Sequence, residues 1–234
     1  MTLPPYHALT NQAASALGEG RPDRALAVLD QLTERYPMKG AVHALKAEAL
    51  RMMGELEQAY DEARIAVGLD PNSIPGHQAL ADASWGTDRL SQAQSSYERI
   101  LELELLQDRL AAAWVRYALF MAYERAPRVA EKAAMKAIDA APKQPDAWAA
   151  LGMAQYRDKR AAEAEQSLNH ALKIDPDSVH CRWVLANIFK WTGQDDKAAA
   201  LAKLLEEHPG GKQYAGEITE HLRKKRYMQG IVPG

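Results

Sequence analysis

The chain has 234 residues, of which 47% are hydrophobic and 26% are charged, as in ordinary soluble folded proteins and unlike disordered or membrane proteins. Its 29 basic and 31 acidic residues give a net charge of -2, which excludes a general electrostatic attraction to nucleic acid or to an anionic membrane. No stretch is long and apolar enough to predict a membrane span, and a single cysteine, Cys181, excludes an internal disulfide. The N-terminal sequence lacks the basic start and apolar run of a secretory signal, so we expect a cytoplasmic protein.

A repeated pattern of small residues organises the chain. The interval from Ala25 to Ala59 recurs along the sequence, with one longer step after the third unit, and a second small residue precedes each member at a constant distance. The first set is Ala25, Ala59, Ala93, Ala130, Ala164 and Ala198, and the second is Ala13, Ala47, Ala81, Ala118, Gly152 and Ala186. These positions predict close packing between paired helices, because a side chain larger than a methyl group would push the two backbones apart.

Turn residues follow the same frame from the first unit to the last. Gly20, Gly54 and Gly193 fall between the two helices of a unit, where a residue tolerant of positive φ ends the first helix. Prolines fall near the ends of units, where they stop the second helix. These prolines are Pro37, Pro71, Pro142, Pro176 and Pro209. The sequence therefore predicts six helix pairs.

Two regions depart from the simple repeat. In the third unit, Leu105 stands where proline is expected, and three residues are inserted at about Asp108 to Leu110. After the sixth unit, Tyr214, Ile218 and Leu222 recur every four residues. This spacing predicts a final helix that covers the exposed core of the last pair.

The period, the paired helices, the aligned small residues and the closing Asp-Pro resemble the tetratricopeptide repeat family. The best-matching unit is Asp146-Ala147-Trp148-Ala149-Ala150-Leu151-Gly152 followed by Ala164, Ala171 and Asp175-Pro176. The resemblance implies an all-α fold, a right-handed α-α superhelix whose first helices line a concave face. The expected repeats are 6–39, 40–73, 74–107, 111–144, 145–178 and 179–209, followed by a capping helix at 212–228 and a flexible tail at 229–234.

Catalytic motifs are missing from the sequence. It has no Gly-rich phosphate loop, nucleophile elbow, His-Glu-x-x-His or paired-cysteine zinc spacing, so we expect a non-enzymatic protein without catalytic residues, cofactor or metal. His43 and His77 lie one repeat apart and could share a metal. No carboxylate or cysteine stands beside them at ligand spacing, which favours simple packing at the position that Trp148 holds in the fifth unit.

The concave positions implied by the family change character along the chain, from small and polar in the early units to apolar and aromatic in the later ones. The candidate partner-binding residues are Trp85, Val115, Leu119, Met153, Tyr156, Trp183, Asn187 and Lys190. A line of large apolar groups facing solvent marks an interaction site, and rigid aromatics contribute strongly to binding. The alternative is that some of these side chains pack against neighbouring first helices or against the chain's own C-terminal tail.

Three hypotheses about function follow. The first is a scaffold or adaptor for protein binding that holds a peptide or helix of another protein in its concave groove. The second is the repeat region or accessory subunit of a transferase, or of a secretion or envelope-assembly machine, where it would position a substrate. The third is self-association through the apolar face. None of the three involves nucleic acid or a membrane span.

Overall fold

A computed structural model of the chain describes residues 6–104, 107–124, 126–208 and 210–228. Within these residues every regular element is a helix, which confirms the all-α fold class. The chain divides into two compact units, Met1–Leu105 and Leu106–Gly234. Unit 1 contains α1 (Tyr6–Gly18), α2 (Pro22–Arg35), α3 (Gly40–Met52), α4 (Leu56–Leu69), α5 (Ile74–Gly86) and α6 (Leu90–Leu103). Unit 2 contains α7 (Gln107–Tyr123), α8 (Pro127–Ala140), α9 (Pro145–Arg157), α10 (Ala161–Ile174), α11 (Val179–Trp191), α12 (Asp195–Glu207) and α13 (Lys212–Met228).

Among the described residues, left-handed residues end the first helices of five pairs. Gly20, Gly54 and Gly193 have φ angles of 69°, 85° and 78°, which confirms the turn predicted at each glycine. The third and fifth pairs place Asp88 and Lys159 at the same point, with φ angles of 61° and 64°. A side chain with a Cβ atom is disfavoured in this conformation by about 1 kcal/mol or more, so the packing of the helix pair imposes the turn at these two residues.

The repeated small residues form the contact between the helices of each pair. Ala25 and its five equivalents on the second helices are all 0% exposed. The alanines of the other set are at most 1% exposed. In the fifth pair a Cβ atom on Gly152 would lie 2.7 Å from Cγ of Leu168 and 3.2 Å from the carbonyl oxygen of Ala164. The predicted close packing is therefore confirmed, and glycine stands where even a methyl group would be crowded.

The first helices lie on the inner side of each unit. In unit 1, α3 contacts both α1 and α5, and in unit 2, α9 contacts both α7 and α11. Among the described residues, consecutive second helices, such as α2 and α4 or α8 and α10, make no such contacts. A stack of helix pairs that touch on one side and spread on the other curves towards the touching side. The first helices therefore line the concave face of each unit.

The two irregular regions of the sequence both lie in helices of unit 2. The residues inserted at Asp108 to Leu110 belong to α7, which has 17 residues where the other first helices have 13. At the other end, α13 packs against α12 and α11 and buries Ile218 and Leu222. Leu105, Pro209 and the predicted tail 229–234 lie outside the described residues. No helix in the described part of the chain has the length and apolar character needed to cross a membrane.

Candidate functional site

A pocket of about 180 Å³ opens on the concave face of unit 2, between its three first helices. One lining residue comes from the end of α7, three come from α9 and four from α11. They are Tyr123, Met153, Tyr156, Arg157, Trp183, Val184, Asn187 and Trp191. Four of the eight are aromatic, and Arg157 is the only charged member of this lining.

The helical period explains how one pocket collects these side chains. Residues four apart lie on the same face of a helix, so Met153 and Arg157 project from the same side of α9. Trp183, Asn187 and Trp191 form the same kind of row on α11. The Asn187 side-chain amide donates a hydrogen bond to the Trp183 carbonyl oxygen at 3.0 Å, which holds the middle member of this row against its own helix.

The two pocket tryptophans both lie near α13 but differ in exposure, and the Trp191 ring centroid is 5.7 Å from that of His221. The Trp183 ring centroid lies 5.4 Å from that of Tyr214 on α13, and its indole Nε1 is buried without a hydrogen-bond partner among the described residues. Part of Trp183 therefore packs against the C-terminal helix, as the alternative interpretation of the sequence anticipated. Trp191 is 66% exposed, and so it presents the largest free apolar surface at the pocket.

Positive charge lies at the edge of the pocket. The Arg157 guanidinium is 5.0 Å from the Tyr123 ring centroid, and among the described residues no carboxylate lies within ion-pair distance of it. The Lys190 ammonium is 5.5 Å from the Trp191 ring centroid. Burial lowers the pKa of Lys190, while the carboxylate of Glu217 acts in the opposite direction. Burial also raises the pKa of both pocket tyrosines, so their hydroxyls stay neutral near pH 7.

The structure brings together half of the candidate residues that the sequence suggested. Met153, Tyr156, Trp183 and Asn187 line the pocket, and Lys190 lies beside it. Leu119 is half-buried on α7. Val115 on the same helix is only 6% exposed and belongs to the hydrophobic core. Trp85 lies on α5 in unit 1. Whether any of them contacts a partner stays a prediction.

Three exposed or half-exposed members of the pocket were missed by sequence reasoning. Tyr123, Arg157 and Trp191 each follow a candidate residue by four positions, on α7, α9 and α11 respectively. The signal was present in the sequence, since one more helical turn along each row of candidates reaches them. The concave positions implied by the family end one residue earlier, at Tyr156 on α9 and at Lys190 on α11.

The first helices of unit 1 carry a polar surface in which the charges are already paired. Arg51 donates to both carboxylate oxygens of Glu48, at 2.9 Å and 2.7 Å. Asp82 accepts hydrogen bonds from Gln78 at 2.9 Å and from the Tyr97 hydroxyl at 2.7 Å. These groups have their hydrogen bonds within the chain, so a ligand would have to compete for them.

His43 and His77 have a structural role that sequence reasoning did not resolve. In four repeats the residue at this position lies within hydrogen-bond distance of the carbonyl oxygen of the proline six residues earlier. The pairs are His43 with Pro37 at 2.9 Å, His77 with Pro71 at 3.0 Å, Trp148 with Pro142 at 2.9 Å and Arg182 with Pro176 at 2.6 Å. A carbonyl oxygen only accepts, so each of these side chains is a donor that fixes the turn between repeats. The predicted packing role therefore includes a specific hydrogen bond.

Comparison with known proteins agrees with the helix pairs and their frame. A family model described as tetratricopeptide repeat matches residues 10–74 and 122–179, and a second model with the same description matches residues 155–216. The chain belongs to the tetratricopeptide repeat family. No curated protein is similar enough in sequence to count as a relative.

Solved structures of tetratricopeptide repeat proteins share this fold at low sequence identity. One from Parabacteroides merdae is 14% identical, with a TM-score of 0.75 over 97% of this chain and 88% of its own. PilW, a type IV pilus biogenesis factor, is 13% identical, with a TM-score of 0.74 over 91% of this chain and 97% of its own. YrrB, a tetratricopeptide repeat protein with an unusual peptide-binding site, is 14% identical, with a TM-score of 0.52 over 82% of this chain and 97% of its own. At these identities the similarity shows the fold alone.

Proposed function

We propose that this chain is a non-enzymatic scaffold that binds a segment of another protein in the aromatic pocket of unit 2. The observation that carries the proposal is the 66% exposure of Trp191 at the mouth of a pocket lined by three further aromatic side chains. A tryptophan left largely in water gains free energy when a partner covers it. Rigid aromatic side chains of this kind supply a large share of the binding energy at protein interfaces.

The arrangement of the pocket also supports a peptide or a helix as the occupant. The lining draws on three neighbouring first helices and runs along α11 from Trp183 to Trp191, so it is an elongated surface on the concave face. The neutral Tyr156 hydroxyl and the Asn187 amide can form hydrogen bonds with a peptide backbone. YrrB, which shares the fold, is described as having a peptide-binding site. A cytoplasmic location and self-association both stay predictions.

The transferase or envelope-assembly hypothesis also stays a prediction. PilW is a pilus biogenesis factor and matches almost its whole length to this chain. An identity of 13% carries the fold without the function, and no residue of the pocket distinguishes an assembly factor from any other scaffold.

A peptide-selection experiment with a matched pair of variants tests the proposal. Peptides are selected against the full chain from a random display library, and their dissociation constants are measured by fluorescence polarisation. We expect Trp191→Asp to weaken binding by about tenfold or more, because it removes an exposed aromatic anchor. The control is Met135→Asp on α8, where an apolar side chain that is 54% exposed lies on a second helix.

Both variants change an exposed residue, so the melting temperature should stay close to that of the parent chain. Selected peptides that bind Trp191→Asp as tightly as they bind the parent would overturn the assignment of this pocket. Equal weakening by Trp191→Asp and Met135→Asp would point to a general effect of added negative charge and would also contradict it.

A further inference from the structure

We infer that the segment bound in the pocket of unit 2 presents a large apolar side chain next to an acidic side chain, and that Arg157 binds the acidic group. This inference rests on the proposed function and specifies the chemistry of the partner. It follows from the distribution of charge around the pocket, where aromatic surface lies beside a cation that has no carboxylate partner in the described part of the chain.

The state of Arg157 contrasts with that of Arg160, which lies three residues further along the chain and precedes α10. Arg160 donates to Glu131 at 2.6 Å, to Glu163 at 2.8 Å and to Asp158 at 3.0 Å. Arg157 is exposed, and the ring of Tyr123 lies beside its guanidinium. The chain thus supplies three carboxylates to the neighbouring arginine and, within the described residues, none to the arginine of the pocket.

The guanidinium N–H groups of Arg157, which pair with no described carboxylate, can donate hydrogen bonds to a carboxylate of the bound segment. A guanidinium binds a carboxylate through two parallel hydrogen bonds, and such charge-assisted pairs are about twice as strong as neutral ones. The ring of Tyr123 on one side holds the guanidinium by a cation-π contact, which reduces the entropy lost when a ligand binds. The five donors of arginine leave enough for both interactions.

The same charges exclude a basic partner. An aromatic pocket without cations could hold a lysine or a methylated lysine by cation-π contacts. Here Arg157 lines the pocket and the Lys190 ammonium lies over Trp191, so a third cation would be repelled at close range. The Glu217 carboxylate, which acts to raise the pKa of Lys190, is on α13 and is not part of the lining.

A charge-exchange experiment on Arg157 tests the inference. The peptides selected against the full chain are resynthesised with amidated C-termini, and each acidic residue is replaced in turn by its amide or by lysine. For one acidic position we expect the amide version to bind the parent chain about tenfold more weakly. We expect Arg157→Glu to bind the original peptide at least tenfold more weakly and to prefer the lysine version.

The control variant is Arg128→Glu, an exposed arginine on α8 of the same unit, which changes the net charge equally. It should leave both the affinity and the preference for acid unchanged. Thermal unfolding followed by circular dichroism should show that both variants fold like the parent chain, since both side chains are exposed.

The outcomes separate the inference from the function on which it rests. Peptides that lose affinity for Trp191→Asp but show no dependence on an acidic side chain or on Arg157 would overturn the inference and leave the proposed function standing. Binding that requires a free C-terminal carboxylate would also overturn it, because the ligand group would then be the chain end. The inference and the proposed function would both be overturned if the peptides bound Trp191→Asp and Arg157→Glu as tightly as the parent chain. A library that yields no binder would have the same consequence.

Discussion

The concave faces of the two units are built on the same helix pairs but carry opposite kinds of surface. On the first helices of unit 1, Glu48 pairs with Arg51, and Asp82 accepts from Gln78 and Tyr97. In unit 2 the corresponding face has an aromatic pocket and, at Arg157, a cation without a carboxylate partner among the described residues. One surface has its polar groups satisfied internally, and the other leaves apolar area and charge available to a ligand.

This difference is compatible with one scaffold because the residues that form the contacts between helices and the residues of the concave surface lie on different faces of each helix. Ala59 and Ala164 are both 0% exposed at the contact between paired helices. The surface residues project from the other side, where a substitution changes no interhelical distance. A repeat fold can therefore acquire a binding site in one unit without altering the packing of the other.

The strongest test of a shared scaffold enlarges a contact alanine in each unit. We expect Ala59→Leu and Ala164→Leu to lower the free energy of unfolding by about 1–3 kcal/mol each, because the larger side chain forces the helices of the pair apart. Urea unfolding measures both losses. A large loss in one unit with none in the other would show that the equivalent alanines do not have equivalent packing roles, and would break the comparison.

A smaller effect is expected at the hydrogen bond that fixes the turn between repeats. Trp148→Phe in unit 2 removes the donor to the Pro142 carbonyl and should cost about 1 kcal/mol in the free energy of unfolding. His77→Phe in unit 1 removes the equivalent donor but also eliminates a buried ring nitrogen, Nδ1, for which the described part of the chain supplies no partner. Its net loss should therefore be smaller than that of Trp148→Phe.

Thermal unfolding of the two variants in parallel gives this order directly. A larger loss for His77→Phe than for Trp148→Phe would mean that the imidazole contributes through its packing, and that the hydrogen bond is not the main contribution at this position.

The smallest expected effect is a gain in stability at the left-handed turns. Lys159→Gly should raise the free energy of unfolding by a few tenths of a kcal/mol up to about 1 kcal/mol, because glycine has no Cβ to strain at a φ of 64°. Asp88→Gly in unit 1 should gain less, since aspartate tolerates this conformation better than lysine. A loss of stability in Lys159→Gly would show that the lysine side chain makes contacts that outweigh the strain.

Sequence reasoning succeeded where a small or turn-forming residue recurs at a fixed place in the repeat. Gly54 and Gly193 predicted positive φ correctly, and alanines such as Ala59 predicted buried helix contacts correctly. It was less successful at Lys159, where the turn is imposed on an unsuitable residue by the helices on either side. It also could not separate Trp183 from Trp191, because the contact of Trp183 with Tyr214 depends on where α13 packs.

The sequence by itself determined the helix pairs, their frame and the family, because small residues and turn residues act locally and recur at a fixed interval. Only the tertiary structure decided which side chains of the concave face are available to a partner. Exposure and charge pairing depend on residues far apart in the chain, as when Arg160 takes Glu131 as a partner and Arg157 takes none of the described carboxylates. The pocket of unit 2 therefore depends on contacts between residues that are far apart in the sequence.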